Sequence, residues 1–285
     1  MEAIGRPPTP ELAPFVRSLW FVRGAPQRRY ERILPQAVAH LIVNLSDPYR
    51  LLTRGGEVIG DAFTGAFVSG VQREYVVIEN PATLWQCGAE LTPAGLAAFT
   101  TTPLAELSDR VRDAGAIIAG SDRWRDPLRA ASGAEETLRR LEGLLTAVRR
   151  TGFAIDSRVA DATGRLDADP DIPIRRLAVD LGLSDAALIA LFRRGVGITP
   201  KAYADLVRFV GFIAAIPADG PIPTWTDLVA RTGYYDQPHF IRSFKRYAGV
   251  TPTQYLAGIR QFGIEYRSFL PMDEISDNLA ALAER

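Results

Sequence analysis

Polar and basic side chains recur at helical spacing in the stretch YYDQPHFIRSFKRYAGVTPTQY, residues 234–255. Gln237, His239 and Arg242 supply amide, imidazole and guanidinium groups, and Lys245 and Arg246 follow within the next turn. Such groups donate hydrogen bonds to polar or anionic partners. The stretch LSDAALIALFRRGVGITPKAY, which begins at residue 183, has almost the same skeleton with almost none of these polar groups. The function depends on that contrast.

The sequence has few residues suited to catalysis or metal binding. Cys87 is the only cysteine, which excludes internal disulfides and multi-cysteine metal sites and favours an inert, partly buried thiol. His40 and His239 are the only histidines, which removes most metal and acid–base chemistry. The sequence contains no nucleophile elbow, phosphate loop or paired catalytic carboxylates. We expect no catalytic residue, no metal, no cofactor and no enzymatic activity.

The length and composition predict a globular protein of two domains. The chain has 285 residues, of which 47% are hydrophobic and 23% charged. It has no apolar run of membrane-spanning length and no leader at its N-terminus, so we expect a cytoplasmic protein without membrane contact. Residues 165–270 hold 13 basic and 10 acidic side chains, and residues 271–285 hold 1 and 4. Binding to a nucleic acid would therefore depend on local charge placement and on salt.

The first hundred or so residues carry the signals of short strands. The runs AVAHLIVNL, REYVVIE and ATLWQCGAEL are separated by turn residues, which predicts a β sandwich or barrel. The predicted class is α+β, with a β-rich N-terminal domain and its flanking helices over 1–152. An all-α domain follows over 153–270, and an acidic tail covers 271–285.

Two helical features are predicted before the domain boundary. Thr92 should cap a helix that has Pro93 at its first position. Leu138, Leu141 and Leu145 share one face of a later helix, which packs on its own domain or on a partner subunit.

The C-terminal domain is an internal duplication. Residues agree at an offset of 52 at apolar, glycine, cap and proline positions together, which chance does not readily produce. The matching positions are Phe192 and Phe244, Gly197 and Gly249, Thr199 and Thr251, Pro200 and Pro252, and Tyr203 and Tyr255. Each unit is predicted to form a helix, a glycine turn and a second helix capped by Ser184 or Asp236. This is the helix-turn-helix arrangement, in which the second helix enters a DNA major groove.

The segment that holds both units resembles a known family. The two units, the ends GITPKAY and GVTPTQY and the stretch GYYDQPHFIRSFKRYAGVTPTQY look like the DNA-binding domain of AraC/XylS transcriptional regulators. The likeness covers about 155–262. The N-terminal segments ELAPFVRSLWFVRG and AELTPAGLAAF are similar to the cupin-like sensor domains of a less studied subgroup. The resemblance implies a bacterial protein that binds double-stranded DNA and can contact RNA polymerase.

The resemblance also assigns roles to residues of the second unit. Gln237, His239 and Arg242 stand where the family reads bases, since glutamine can pair with adenine and arginine with guanine. Residues near the end of each recognition helix and at the start of the next contact phosphates. The positions that match are Arg193, Arg194, Lys201, Lys245, Arg246 and Thr251.

The first unit departs from the family pattern. Asp185, Ala186, Ala187, Ile189 and Ala190 occupy positions where the family usually presents polar readers. Alanine and isoleucine can meet only thymine methyl groups, and an aspartate repels phosphate. We predict that the second unit supplies most base readout and that the first mainly positions the domain. Alternatively, the apolar residues of the first unit contact a protein.

By resemblance, the N-terminal domain senses a small molecule or forms a homodimer. Its aromatic residues could line an apolar cavity, although core packing explains most of them equally well. The candidate effector-binding residues are Trp20, Tyr30, His40, Phe67 and Trp85. His40 stands alone in this domain, and a structural role explains it more readily than ligand binding.

Two alternatives to the regulator remain from the sequence. One is a protein-interaction regulator that sequesters a partner without strong operator binding. The other is a DNA-alkylation repair protein, because some of these carry a related DNA-binding domain. The absence of a cysteine cluster around Cys87 counts against repair.

Overall fold

The computed structural model describes residues 1–26, 28–52, 58–59, 62–217, 221–224, 226–228, 237–263, 267 and 269–271. The N-terminal part is built on two antiparallel sheets. The strands are β1 Glu2–Arg6, β2 Val16–Gly24, β3 Tyr30–Ile33, β4 His40–Asn44, β5 Arg50–Leu52, β6 Ala66–Ser69, β7 Val76–Glu79, β8 Leu84–Leu91, β9 Val111–Asp113 and β10 Phe269–Pro271.

The larger sheet has the order β1-β2-β8-β4-β6-β9 and separates two environments. Alternate residues such as Leu19, Leu41 and Cys87 are fully buried on one face, beneath the helices that follow the sheet. The other face carries a cross-strand row of Trp20, Gly88, Ile42 and Phe67, and its Trp20 and Ile42 are only half-buried. Because strand side chains alternate between faces, the period-2 pattern of the sequence assigns each residue its side.

The smaller sheet has the order β10-β3-β7-β5. Strand β10 comes from the far end of the described chain, beyond the C-terminal helices, and pairs with β3. Ile33, Ile78 and Leu51 lie on one face of this sheet and pack in a cluster with Phe67 of the larger sheet. The strands predicted from the three apolar runs are thus present as β4, β7 and β8.

Nine helices are labelled among the described residues. They are α1 Leu104–Leu107, α2 Arg125–Arg129, α3 Ala134–Val148, α4 Ser157–Ala168, α5 Ile174–Asp180, α6 Asp185–Gly195, α7 Pro200–Ala214, α8 Gln237–Ala248 and α9 Pro252–Phe262. Residues 226–228 are also helical. No helix in the described ranges is long and apolar enough to cross a membrane.

The apolar stripe of α3 packs on its own domain. Leu138, Leu141 and Leu145 are inaccessible to solvent and join the core beneath the larger sheet. The same core holds Cys87, and burial raises the pKa of its thiol, which favours the unreactive protonated form. The sequence left open whether α3 packs on its own domain or on a partner subunit. In the structure it packs on its own domain.

The helix predicted at Thr92 is wrong. Residues Gly95–Ala98 form a short 3₁₀ turn with Ala94 at its N-cap position. The Thr92 hydroxyl instead donates to the carbonyl oxygen of Pro14 at 2.9 Å. No side chain caps this turn, and both donors of Thr92, its backbone N–H and its hydroxyl, bond to the Pro14–Phe15 backbone, a long-range contact that local propensity does not reveal.

A second core unites the C-terminal helices α4 to α9. It includes Leu166, Leu188, Phe209 and Phe244, all buried. Helix α3 ends at Val148 and α4 begins at Ser157, so the predicted boundary between 152 and 153 falls in the connection. The boundary itself stays a prediction, since Leu34, Val71 and Ala94 of the N-terminal part join the second core.

Candidate nucleic-acid interface

The first unit is a helix-turn-helix formed by α5 and α6. The Ser184 hydroxyl accepts from the backbone N–H of Ala187 at 3.2 Å and caps α6 as predicted. Leu188 and Phe192 turn into the core and leave the opposite side of α6 toward solvent. Thr199 caps α7 in the same way by accepting from Ala202 N–H. Helix α6 therefore has a fixed axis and one exposed face.

The second unit holds α8 by an aromatic cluster. The ring of Phe244 lies 5.1 Å from Phe209, 5.3 Å from Phe212 and 5.3 Å from Tyr255, measured between centroids. Edge-to-face contacts of this kind add to the apolar burial. Thr251 then caps α9 through a reciprocal bond pair with Gln254. The predicted cap Asp236 and the turn glycine at 233 lie outside the described residues.

Helix α8 presents basic side chains on its free face. Arg242, Lys245 and Arg246 are exposed. Arg246 donates to the Tyr247 hydroxyl at 2.9 Å, whereas Arg242 and Lys245 make no ion pair with any residue that the structure describes. Gln237 and His239 lie in the first turns of α8, and their side chains are outside the described part of the chain. This face offers cations where a phosphate or a base edge can reach them.

The equivalent face of α6 is apolar in its first two turns apart from Asp185, which is exposed at its start. Ala186 and Ala190 are exposed and Ile189 is half-buried, and the three line one shallow groove. Arg193 and Arg194 border the same groove and are exposed. Where the structure describes both faces, the contrast that the sequence predicted is seen between exposed Ala190 on α6 and exposed Arg242 on α8.

Three of the predicted backbone-contact residues already have partners within the chain. Lys201 donates to Asp205 Oδ1 at 2.9 Å. The hydroxyl of Thr251 is engaged in the cap of α9. Arg194 lies close enough to Asp156 to help lower the pKa of that carboxyl, after the larger effect of the Arg158 side chain. Phosphate binding by these side chains would compete with those contacts.

A basic groove beside α8 was not predicted from the sequence. It encloses about 740 Å³, and its walls include Arg73, Arg110, Arg112 and Arg246. Arg73 pairs with Asp109, and Glu74 also lines the groove, so two carboxylates offset part of this charge. The first three arginines lie far from α8 in the sequence, so only the docking of the two parts brings them to it.

The candidate effector residues lie on three surfaces. Trp20, His40 and Phe67 share the face of the larger sheet that is turned toward the smaller sheet. Trp85 lies on the opposite face, where Arg23 and Arg129 stack on its ring at 4.3 Å and 5.4 Å. Tyr30 packs with Leu52 and Val77 on the outer side of the smaller sheet.

The face of the larger sheet that carries Trp20, His40 and Phe67, called the shared face below, also has polar groups that were not predicted from the sequence. Gln86 is 6% exposed, and its side-chain nitrogen has no hydrogen-bond partner among the described residues. Burial lowers the pKa of His40, against an opposing effect of Glu90. The alternation in LWQCGAEL indicated the face of Gln86, because it stands between residues of the opposite, apolar face. The described residues contain no cluster of histidine, cysteine and carboxylate side chains fit for a metal ion.

Comparison with known proteins finds two family models along the chain. Residues 177–258 match a helix-turn-helix domain, and residues 5–113 match a domain of unknown function (DUF6597). No curated protein matches the chain. The helix-turn-helix match covers the duplicated units that were predicted from the sequence.

Several solved structures are similar to parts or most of the chain. ToxT from Vibrio cholerae has a TM-score of 0.49 and 9% identity over 90% of this chain and 98% of its own. ToxT from the same organism with an unsaturated fatty acid bound has a TM-score of 0.46 and 10% identity, over 83% and 94%. A probable AraC family regulator from Rhodopseudomonas palustris has a TM-score of 0.32 and 23% identity, over 36% and 96%.

These likenesses are too distant to carry a ligand or an activity to this chain. The helix-turn-helix match and the two capped units agree on the same segment. The chain therefore carries a helix-turn-helix domain over residues 177–258, joined to an N-terminal β-rich domain whose residues 5–113 match the DUF6597 model.

Proposed function

We propose that the protein is a sequence-specific transcriptional regulator in which α8 supplies most of the base readout. This proposal rests on the difference between the exposed faces of α6 and α8, which occupy equivalent positions in the two units. Helix α8 exposes Arg242 and Lys245, and α6 exposes Ala190 at the position equivalent to Arg242. Arg242 is the residue to which we assign guanine recognition, and the side chains at 237 and 239 complete the reading face.

Backbone contacts then fall to the basic residues at the helix ends. Arg193, Lys245 and Arg246 are exposed at the C-terminal ends of α6 and α8. Helix α7 spans 15 residues between the units, which corresponds to about 22 Å at the rise of a helix. A rigid connector of this length suits contact with neighbouring grooves on one side of a duplex.

Selection of bound duplexes from a random-sequence library tests this function. The purified protein should enrich one motif at fixed salt. Arg242→Ala should relax the preference at one base position, while Arg193→Ala should weaken binding to all sequences alike. If no sequence is enriched even at low salt, operator binding by the free protein is refuted.

We assign effector binding to the space beside the shared face of the larger sheet. Trp20 and His40 are half-buried there, and the buried amide of Gln86 lacks an acceptor among the described residues. A small molecule with a flat apolar part for Trp20 and a hydrogen-bond acceptor for Gln86 would fit these groups. Binding should quench or shift Trp20 fluorescence, and Gln86→Leu should remove the effect.

A second candidate function is protein sequestration through the first unit. The groove of Ala186, Ile189 and Ala190 favours it, because a bare apolar surface often marks a protein interface. This candidate requires that the protein show no salt-dependent, sequence-selective DNA binding. A homodimer and a contact with RNA polymerase remain further proposals for a regulator of this type.

A further inference from the structure

Strand β10 returns to the N-terminal domain after the chain has passed through the DNA-binding domain. Phe269 pairs with Ile33, Leu270 with Arg32 and Pro271 with Glu31, all on β3. In the described part of the smaller sheet, β3 would otherwise be an edge strand. An edge strand offers unpaired N–H and C=O groups to any segment that can reach it.

The same strand also holds the second helix-turn-helix unit. Arg32 on β3 is 6% exposed, and its Nη1 donates to the Ala248 carbonyl oxygen at 3.3 Å. The next residue, Gly249, has a φ of 74° and lies so close that a Cβ there would be 2.5 Å from the Tyr75 ring. On the other side, the Tyr255 hydroxyl of α9 donates to the backbone carbonyl of Arg267, just before β10.

The first unit docks on the N-terminal domain at the equivalent glycine. Gly197 has a φ of 97°, and a Cβ there would lie 2.5 Å from Ser108 Oγ and 2.8 Å from the Leu104 carbonyl oxygen. Helix α1 thereby stands beside the exposed face of α6, where Pro103 and Ala105 line one groove with Arg193. A DNA backbone that approaches Arg193 from this side meets α1.

We propose that β10 and Arg32 form a latch on β3, which favours a state of the DNA-binding domain in which α1 obstructs the first recognition helix, so that Arg193 contacts DNA only in the released fraction. Release of the latch strengthens DNA binding, because α6 and its arginines then reach the duplex beside α8. The latch rests on the proposed function, since its output is DNA affinity. Because β3 also lines the space between the sheets through Glu31 and Ile33, a ligand there acts on the latch directly.

Two truncated chains test the latch as a matched pair. One ends at Pro271 and keeps β10, and the other ends at Ser268 and lacks it. Both lose the acidic tail, and the three residues that distinguish them are uncharged. Fluorescence anisotropy would measure the affinity of each chain, and of the full chain, for the duplex selected by the full chain and for a random-sequence duplex.

The chain that ends at Ser268 should bind DNA at least about five-fold more tightly than the chain that ends at Pro271, the lower range of a coupling between sites. Its nuclease footprint should also lengthen, because the first unit gains contact. Equal affinity, or weaker binding by the shorter chain, overturns the proposal.

A point substitution tests the other arm of the latch. Arg32→Leu removes the bond to Ala248, and Arg50→Leu is its control, because Arg50 is exposed on the same side of the smaller sheet and pairs with Glu79. Tighter DNA binding by Arg32→Leu alone supports the latch, and equal behaviour of the two variants overturns it.

Amide hydrogen exchange separates failure of the latch from failure of the function. The chain that ends at Ser268 should exchange faster over β3 and over 246–250 than the chain that ends at Pro271. If none of the chains binds DNA, the proposed function fails, and faster exchange still supports the latch as a structural device. Unchanged exchange in both segments overturns it.

Discussion

The two helix-turn-helix units share a scaffold and differ in the surface that they present. Phe192 and Phe244 are both inaccessible to solvent, and Thr199 and Thr251 both cap the following helix. The exposed faces carry Ala190 in one unit and Arg242 in the other. Packing constrains the residue types at the buried positions of both copies, whereas the exposed faces do not contribute to the core and can differ. Readout can thus be lost from one unit while its fold is retained.

Removal of the central aromatic residue should give the largest effect, and it should be equal in the two units. Phe192→Ala and Phe244→Ala should each lower the free energy of unfolding of the C-terminal domain by about 3–5 kcal/mol, because each leaves a cavity in a dense core. Denaturant titration measures both. Val179→Ala is the control, since Val179 is 70% exposed and should change stability little. A cost in only one unit would contradict the shared scaffold.

The equivalent tyrosines should differ, because their hydroxyls have different partners. The Tyr203 hydroxyl donates to Asp167 Oδ1 at 2.6 Å, whereas Tyr255 donates to a backbone carbonyl. Tyr203→Phe should cost about 1.5–3 kcal/mol, the range for a bond to a charged group, and Tyr255→Phe about 0.5–1.5 kcal/mol. Thermal unfolding of both variants decides the order. Equal losses would mean that the charge on Asp167 adds nothing.

Exchange of the reading residues tests the difference between the surfaces. Arg242→Ala should remove about 1–3 kcal/mol of discrimination at one base pair. Ala190→Arg places a guanidinium at the matching position of α6 and should add a base preference on the side of the first unit, once α6 can reach DNA. Library selection with each variant measures both changes. Ala190→Lys is the control, because lysine adds charge without the paired donors of arginine.

Removal of the helix caps should lower stability by a smaller amount, with the larger loss in the second unit. Thr251 has a reciprocal capping box with Gln254, whereas Thr199 accepts a single bond. Thr251→Ala and Thr199→Ala should each cost about 1 kcal/mol, with the larger loss at Thr251. Gln254→Ala should reduce that excess. An excess that survives Gln254→Ala would rule out the capping box as its cause.

The smallest predicted effect concerns Asp156, which caps α4 beside the first unit. The Arg158 side chain bonds to this carboxylate and lowers the pKa of Asp156 to about 2. Asp156→Asn should cost about 0.5 kcal/mol or less at neutral pH, because the pair is partly exposed. The folded-state pKa lies below the ordinary value of 3.8, so the stabilisation is complete above that value and is lost as the pH falls toward 2. A difference that persists at pH 2 would refute the ionic origin.

Much of the C-terminal domain follows from short-range rules. The offset repeat and the cap Ser184 were predicted, because helix ends and apolar periodicity depend on near neighbours, and the matched apolar positions Phe192 and Phe244 are buried. The helix predicted at Thr92 was wrong because this segment is tied to the backbone of Pro14 and Phe15, more than 70 positions away. The β strands were predicted, while the order of the sheets was not, since pairing depends on contacts distant in sequence.

The sequence by itself determined that two helix-turn-helix units exist, that they are unequal, and that Arg242 belongs to the richer one. Only the tertiary structure decided that Trp20 and His40 share a face with Gln86, that Tyr30 and Trp85 do not, and that both units dock on the N-terminal domain at Gly197 and Gly249. Local patterns fix which side of a helix or strand a residue takes. Which other element packs against that side depends on contacts between residues distant in sequence, and a local pattern does not specify them.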